Sequence, residues 1–188
     1  MATGKVVIVS GPSGAGKTTV VKRLIQSCAV PLKLSVSATT RPARPSEQDG
    51  IDYQFMSDEE FQRRKSSGDF LECFEVFGSG YWYGTLRSEV TTSLDAGKWV
   101  LLEIDVQGMQ SVQDQFPGAI SIFIRPSSLA ELEQRLRGRA TESEKTIQRR
   151  LEVAAHEWSY KTDYTYDIVN ESVEDTVTKI SQALSSHA

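Results

Sequence analysis

The sequence predicts an α/β fold with a parallel sheet at its core and helices on both faces of that sheet. Short apolar runs alternate with amphipathic helical patterns along most of the 188 residues, an order that is typical of βαβ units. The first apolar run, residues 5–10, is followed by a glycine-rich stretch and then by a helical pattern. A strand-rich segment, residues 37–90, interrupts the alternation. We therefore expect a doubly wound core that carries a small mixed sheet as an insert.

The predicted strands are short runs that are either wholly apolar or alternate between apolar and polar residues. In chain order they cover residues 5–10, 32–37, 51–56, 70–77, 99–105, 119–125 and 167–170. Residues 38–50 lie between the second and third strands and are rich in proline and polar side chains. This composition predicts a loop.

The predicted helices place apolar residues at intervals of three and four. In chain order they cover about residues 17–28, 58–68, 86–96, 108–115, 129–137, 144–160 and 173–184. Ser57 and Ser128 each precede a glutamate by three residues, which is the pattern of a capping box and marks a helix start. In the helix after Ser128, the three leucines are expected to lie on one face. They are Leu129, Leu132 and Leu136.

The length allows one domain with a sizeable core of its own. We expect residues 1–188 to form a single domain that is divided into a core, an insert and a helical lid. The expected division is a core of residues 1–36, 91–134 and 160–188, an insert of residues 37–90 and a lid of residues 135–159.

The composition argues against several classes of partner. The formal net charge is −4, and 39% of the residues are hydrophobic, which does not favour nucleic-acid polymers or anionic membranes. Cys28 and Cys73 form neither a metal-ligand spacing nor a disulfide framework. No apolar run has the length of a secretory signal or a membrane span. We expect a cytoplasmic protein, monomeric or homo-oligomeric, with small-molecule partners.

A phosphate-binding loop is indicated by residues 11–18, GPSGAGKT, which fit the pattern G-x-x-x-x-G-K-[S/T]. Its glycines let backbone N–H groups curl around a phosphate, and the following helix N-terminus adds further donors. Lys17 is predicted to neutralise the outer phosphates and Thr18 to offer its hydroxyl to Mg²⁺. The alternative is an ordinary strand-to-helix turn. The candidate nucleotide-binding residues are Gly11, Pro12, Ser13, Gly14, Ala15, Gly16, Lys17, Thr18 and Thr19.

Two arginines spaced by three residues, Arg41 and Arg44, lie in the proline-rich loop. Guanidinium groups match phosphate oxygens with paired N–H donors, so this pair is suited to the phosphate of a nucleoside monophosphate. The phenol hydroxyls of Tyr53 and Tyr83 are further candidate donors. The alternatives are solvated loop charges for the arginines and core packing for the tyrosines.

A candidate base-reading group is Glu72, an acid inside an apolar strand. An ionised carboxylate only accepts hydrogen bonds, and guanine presents two adjacent donors, its N1–H and its N2 amine, which adenine does not. A hydroxyl such as that of Ser37 or Thr85 is able to donate to guanine O6. The alternative is an exposed acid on the polar face of the strand.

Two carboxylates, Glu103 and Asp105, close the apolar strand at residues 99–105. The alternation of a strand places both on the same side. Acids at this position help to hold Mg²⁺ or its waters in phosphate-loop enzymes. The alternative is a pair of surface acids.

A basic run follows the predicted strand at residues 119–125. Arg135 and Arg139 are four residues apart, and Arg150 follows in the next predicted helix. Arginines on a lid supply positive charge to a transferring phosphoryl group once the substrates are bound, and closure of the lid excludes water. The alternative is a solvated helix face paired with nearby glutamates.

Together these motifs resemble those of the guanylate kinase family, and the resemblance extends over essentially the whole chain. The matching segments are residues 9–18, 35–44, 50–55, 70–72, 83–85, 104–108, 135–139 and 147–151. The segment SVSATTRPAR is the most telling, because this arginine loop is far rarer than a phosphate loop.

The resemblance implies the fold of phosphate-loop nucleotide kinases and transfer of the γ-phosphoryl group of ATP to GMP or dGMP, with Mg²⁺ as the cofactor. It implies in-line attack by the GMP phosphate without a covalent protein intermediate. The implied catalytic residues are Lys17, Arg41, Arg135, Arg139 and Arg150. The implied GMP site comprises Ser37, Arg41, Arg44, Tyr53, Glu72, Tyr83 and Thr85, joined by Glu103 and Asp105. Asn170 is implied to lie near the adenine.

The chain departs from the family pattern at two places. Glu103 stands where the family usually has an aspartate, which keeps the charge but changes its reach. The segment at residues 77–82 is about two residues longer than expected, which bears on how Tyr83 approaches the monophosphate.

The sequence argues against three other classes of protein. Guanylate-kinase-like domains of scaffold proteins bind phosphorylated peptides and have lost an intact phosphate loop, whereas residues 11–18 are complete. A kinase for AMP or UMP has no need of a pair that recognises guanine, such as Glu72 with Thr85. A phosphate-loop hydrolase or switch has no need of a second phosphate clamp such as Arg41 with Arg44.

Overall fold

The computed structural model of the protein describes residues 4–75, 80–138 and 143–188. Within these ranges it has nine strands and seven α-helices, and the predicted α/β class is confirmed. The strands are β1 (Val6–Ser10), β2 (Leu32–Leu34), β3 (Ala38–Thr39), β4 (Gln54–Phe55), β5 (Phe70–Glu75), β6 (Trp82–Leu86), β7 (Trp99–Glu103), β8 (Ile120–Arg125) and β9 (Tyr166–Val169). The helices are α1 (Lys17–Ser27), α2 (Asp58–Ser66), α3 (Arg87–Asp95), α4 (Val106–Gln115), α5 (Leu129–Arg137), α6 (Glu144–Ser159) and α7 (Val173–Ser185).

The larger sheet contains five strands in the order β2-β7-β1-β8-β9. Strands β1 and β8 pair in parallel with Val9 opposite Ile122, and β8 and β9 pair in parallel with Ile124 opposite Ile168. Every residue of β1 is buried, as are the first five of β8, because strands of a parallel sheet are covered on both faces. Ligands of such sheets bind beyond the carboxyl ends of the strands, which is where the phosphate loop follows β1.

The smaller sheet contains four strands in the order β4-β3-β6-β5. Strand β3 is parallel to β4 and antiparallel to β6, and β5 is antiparallel to β6. The mixed sheet predicted for the insert is therefore confirmed. Its register sets Glu72 directly opposite Thr85, so these two side chains share one face of the sheet.

The chain divides into two compact units. The first unit comprises Met1–Val6, Lys33–Leu102 and Gln107–Ala119, and the second unit comprises Val7–Leu32, Glu103–Val106 and Ile120–Ala188. The first unit includes the smaller sheet, and the second includes the phosphate loop. The division into core, insert and lid stays a prediction.

Each unit has its own apolar cluster. In the first unit, Phe61 of α2 stacks on Phe70 of β5 with ring centroids 4.4 Å apart, and Ala38 and Leu86 complete the cluster. In the second unit, α5 packs on α6. The side chains at that contact are Leu132, Leu136, Ile147 and Ala154. Burying such side chains stabilises each unit by roughly 1.5–3 kcal/mol per residue.

The two predicted serine N-caps are confirmed, whereas the glutamates of the predicted capping boxes pair elsewhere, Glu60 with Arg63 and Glu131 with Ser127. Ser57 Oγ accepts a hydrogen bond from the backbone N–H of Glu60 at 3.2 Å, and Ser128 Oγ accepts one from that of Glu131 at 3.1 Å. The helical spacing of Leu129, Leu132 and Leu136 places them on one side of α5. Leu132 and Leu136 are buried there, whereas Leu129, in the first turn, is 39% exposed.

Two predicted strands are wrong in extent. Strand β2 ends at Leu34, and Ala38–Thr39 forms β3 where a loop was expected. The predicted strand at residues 51–56 is reduced to β4, because residues 51–52 form a turn in which the N–H of Ile51 donates to Gln48 O. The long-range pairing of Ala38 with Gly84 fixes β3, and no local pattern reports such a pairing.

Strand β7 is shorter than predicted at its carboxyl end. Strand β7 ends at Glu103, so Asp105 lies beyond the strand and directly before α4. Residues 76–79, which include part of the lengthened turn, lie outside the described residues.

Among the described helices, none carries an apolar stretch long enough to cross a bilayer.

Candidate active site

The phosphate loop connects β1 to α1 in the second unit. Gly11, Gly14 and Gly16 all have positive φ angles, of 140°, 96° and 88°. Gly16 is the N-cap of α1 and offers no side chain to cap it, so the first backbone N–H groups of α1 are left for an anion. This conformation is the one that the glycine spacing predicts.

At two positions of this loop a side chain would not fit, because φ is positive and because a neighbouring atom lies where the Cβ atom would be. A Cβ atom on Gly11 would lie 1.9 Å from the backbone oxygen of Ile124 in β8, and one on Gly16 would lie 2.6 Å from Nδ2 of Asn170. The loop therefore packs directly against β8 and against Asn170, the residue after β9.

Lys17 begins α1 and its ammonium group folds back over the loop. Its Nζ donates to Gly11 O at 2.6 Å and to Pro12 O at 3.1 Å. Burial lowers the pKa of Lys17, while the carboxylates of Glu103, Glu157 and Asp105 act in the opposite direction. The Lys17 Nζ is thus held on the loop by two backbone carbonyl groups.

Thr18 and Glu103 provide the oxygens that suit a magnesium ion. Thr18 Oγ1 donates to Glu103 Oε1 at 2.8 Å. Mg²⁺ prefers such hard oxygen ligands and is usually held by one or two protein groups together with waters and substrate phosphates. Both residues therefore fit the expected cofactor, and the predicted association of Glu103 with GMP stays a prediction.

Arg150, Arg135 and Asn170 all contact the neighbourhood of the loop. Arg150 Nη2 donates to Ser13 Oγ at 2.9 Å, which brings α6 to the phosphate loop. Arg135 Nη2 donates to the backbone oxygen of Asn170 at 2.8 Å. Asn170 Nδ2 in turn donates to Ala15 O at 2.7 Å. Arg139, the third arginine of the predicted lid, lies outside the described residues.

Glu157 is a buried acid of the second unit that sequence analysis missed. Its side chain is on α6, seven residues after Arg150, and the residue is only 7% exposed. Within the described ranges its Oε2 has no hydrogen-bond partner. Burial raises the pKa of Glu157 to about 7. The positive charge of Lys17 acts in the opposite direction, but its effect is smaller. Its position two turns after Arg150 is the one signal that the sequence offers.

We expect Glu157→Gln to alter how stability depends on pH. Between the ordinary pKa of 4.5 and the folded-state pKa of about 7, the folded protein holds a proton that the unfolded chain has released. Raising the pH through this window therefore destabilises the wild-type protein. The variant has no such titrating proton. When the pH is raised from 5 to 8, the unfolding free energy of the variant relative to that of wild type should therefore rise by about 1–3 kcal/mol.

Urea denaturation of both proteins at pH 5 and pH 8 measures this difference. Glu152→Gln is the control, because Glu152 is an exposed acid of the same helix. Wild type and Glu157→Gln with the same pH dependence would show that Glu157 is not protonated in the folded protein near neutral pH.

The predicted phosphate clamp of the first unit is assembled around Arg41. Arg41 Nε donates to the Tyr83 hydroxyl at 3.1 Å, and its guanidinium lies 5.4 Å from the centre of the Tyr53 ring. The two tyrosine rings meet edge to face at 5.8 Å. Arg44 follows on the same loop, and its side chain is 72% exposed. The structure thus brings Arg41, Tyr53 and Tyr83 together, whereas the Arg44 side chain extends from the same loop.

Glu47 completes this group and is a second residue that sequence analysis missed. Both of its carboxylate oxygens accept from Arg41 Nη2, at 2.8 and 2.9 Å. Its place three residues after Arg44 and six after Arg41 offered only a weak signal, because acids are common in solvated loops.

The candidate base-reading pair lies on the smaller sheet. Thr85 is 1% exposed, and its Oγ1 has no hydrogen-bond partner among the described residues. Glu72 lies opposite it on β5 and is partly exposed. A buried hydroxyl without a partner costs about 1–3 kcal/mol, which a ligand acceptor would recover. Ser37, just before β3, is also partly exposed, and its backbone oxygen accepts from Gln54 N.

Comparison with known proteins gives the same result at three levels. A family model described as guanylate kinase matches residues 3–187. A guanylate kinase from Rhodopirellula baltica is 57% identical over 182 residues, which are 96% of this chain and 87% of the relative. One from Fusobacterium nucleatum is 47% identical and covers 93% of this chain and 92% of its own length.

Among solved structures, the crystal structure of guanylate kinase from Anaplasma phagocytophilum superposes with a TM-score of 0.80 at 36% identity. The match covers 100% of this chain and 87% of that one. The chain is therefore an enzyme of the guanylate kinase family, whose activity is the ATP-dependent phosphorylation of GMP.

Proposed function

We propose that the protein transfers the γ-phosphoryl group of ATP in line to the phosphate of GMP. The observation that carries this proposal is the presence of two separate anion-binding groups. One is the phosphate loop with Lys17 in the second unit, and the other is the Arg41 clamp in the first unit. A hydrolase or a switch needs only the first group, whereas a kinase that phosphorylates a phosphate needs both.

On the ATP side, the loop N–H groups and the start of α1 bind the phosphates, and Lys17 neutralises the outer ones. Thr18 and Glu103 would hold Mg²⁺, which would supply positive charge that offsets the charge of the phosphates. Arg150 and Arg135 are close to the loop and add positive charge where the transferring group develops it. No protein group needs to form a covalent bond.

On the GMP side, Arg41, Arg44 and the two phenols hold the acceptor phosphate, which keeps it oriented for attack. Glu72 accepts from N1–H and N2 of guanine, and Thr85 donates to O6. The support for the base assignment is that the two side chains stand opposite each other and that the buried Thr85 hydroxyl has no described protein partner.

The partners that we propose are ATP and GMP, with dGMP as an alternative acceptor, and the compartment is the cytoplasm. The net charge of −4 and the two free cysteines, Cys28 and Cys73, support small nucleotides and a reducing environment.

Glu72→Gln should weaken the choice of guanine. The amide presents a donor to the N1–H edge and loses the charge that strengthens both contacts. We expect the ratio of kcat/KM for GMP to that for AMP to fall by roughly 10- to 100-fold, mainly through GMP. Steady-state kinetics with each monophosphate measures this ratio.

Glu75→Gln is the matched control, because Glu75 is an exposed acid three residues along the same strand, where the alternation turns it to the other face. An unchanged GMP to AMP ratio in Glu72→Gln would show that Glu72 does not read the base.

A further inference from the structure

The guanidinium of Arg41 is largely occupied by partners within the protein. Its Nε donates to the Tyr83 hydroxyl, its Nη1 donates to Pro42 O at 2.7 Å, and its Nη2 faces both carboxylate oxygens of Glu47. A guanidinium binds a phosphate best through two neighbouring N–H donors. Each such edge of Arg41 already has a partner, so a phosphate has to replace one of them.

Glu47 is the partner that resembles a phosphate. Its Oε2 also accepts from the backbone N–H of Arg44 at 2.8 Å, and the Arg44 side chain lies 4.0 Å from Oε1. One carboxylate thus takes donors from both arginines of the clamp. The Arg41 and Glu47 side chains are only 13% and 14% exposed, so water screens this ion pair weakly.

Glu47 is anionic at neutral pH. Its hydrogen bonds with Arg41 and with the backbone of Arg44 lower its pKa. The ion pair therefore persists under the conditions in which the enzyme works, and a negatively charged ligand meets a clamp that already holds a negative charge.

We propose that Glu47 is an internal competitor of the acceptor phosphate: its carboxylate occupies the donors of Arg41 and Arg44, and GMP binds by displacing it. The inference rests on the proposed function, because it takes these arginines as the phosphate clamp. A dianionic phosphate offers more charge and more acceptor oxygens than a carboxylate, so it wins the exchange. A guanine nucleoside without a phosphate cannot make this exchange, and the clamp stays closed on Glu47.

Titration calorimetry with GMP and with guanosine, both without ATP, tests the inference on wild type and Glu47→Gln. Glutamine keeps the shape of the side chain and removes its charge, so the competition weakens. We expect the variant to bind GMP about 3- to 10-fold more tightly and guanosine with unchanged affinity. Glu59→Gln, which removes an exposed acid at the start of α2 in the same unit, should leave both affinities unchanged.

Thermal unfolding supplies a second and independent readout. Without ligand, Glu47→Gln should melt below wild type, because Arg41 loses its charged partner in a weakly hydrated site. With saturating GMP the phosphate takes that place in both proteins, so the upward shift in Tm on adding GMP should be larger in the variant. Glu47→Ala should follow the same pattern if the glutamine variant does not fold.

The outcomes separate the inference from the proposed function. Wild type that binds GMP, with Glu47→Gln binding it equally or more weakly, overturns the inference and makes Glu47 a support that orients Arg41. Wild type that does not bind GMP overturns the proposed function, and the inference falls with it.

Discussion

Lys17→Met should reduce phosphoryl transfer by at least roughly 100- to 1,000-fold, which is the typical effect of removing one preorganised charge from the transition state. The ammonium is held over the loop by Gly11 O and Pro12 O, so its position is set before the nucleotide arrives. Methionine has a similar length and no charge. The γ-phosphoryl group would then lose the cation that offsets its charge during transfer.

The measurement is kcat by a coupled assay of ADP release, accompanied by calorimetry with GMP. GMP binding should survive in Lys17→Met, because Lys17 belongs to the ATP side of the proposed mechanism. Lys179→Met is the control, since Lys179 is an exposed lysine on α7 of the same unit. A variant that keeps more than a tenth of the wild-type kcat would contradict the role of Lys17.

Gly11→Ala should destabilise the protein by about 4 kcal/mol or more, a large part of the 5–15 kcal/mol that holds a typical domain folded. The φ of 140° is strained for a residue with a side chain, and the new Cβ would lie 1.9 Å from the backbone oxygen of Ile124. A backbone atom of a central strand cannot move away as a flexible side chain would, so the loop itself has to shift.

Two other glycines separate the two causes in the same urea denaturation series. Gly118 has open space around its Cβ position and no unusual φ, so alanine should be nearly neutral there. Gly68 also has open space but a φ of 74°, so alanine should cost about 1–2 kcal/mol from the backbone alone. If Gly11→Ala lowers the free energy of unfolding by no more than Gly68→Ala does, the loop does not pack against β8.

The phosphate loop was predictable because its determinants are local. A strand, a fixed glycine spacing and a lysine at the start of a helix stand next to one another in the chain, and the structure reproduces that order. The same holds for the capping serines, Ser57 and Ser128, whose partners are three residues away.

The parts of the candidate site that sequence reasoning missed depend on distant pairings. Glu157 meets the surroundings of Lys17 only because α6 folds against the loop through Arg150 and Ser13. Asn170 stays predicted to lie near the adenine, and the sequence did not indicate that its Nδ2 donates to Ala15 O or that its Oδ1 accepts from Thr176. Such contacts join segments far apart in the chain, and periodicity carries no information about them.

Glu47 illustrates a different limit. It is close to Arg41 and Arg44 in sequence, yet an acid in a polar loop is usually solvated, and nothing in the pattern distinguishes it from its neighbours. What distinguishes it is the turn of residues 44–47, in which the N–H of Glu47 donates to Arg44 O. That turn aims the carboxylate back at Arg41, and residue types alone do not show which side chain the carboxylate meets.

The most direct test of the proposed phosphoryl transfer is ADP release from ATP and Mg²⁺ with GMP, AMP, UMP and CMP offered one at a time. We expect rapid ADP formation with GMP and a rate at least roughly 100-fold lower with each of the others. Equal or faster turnover with another monophosphate would overturn the reading of guanine by Glu72 and Thr85. No ADP with any of the four, from folded protein, would contradict the proposal that the two anion-binding groups serve one phosphoryl transfer.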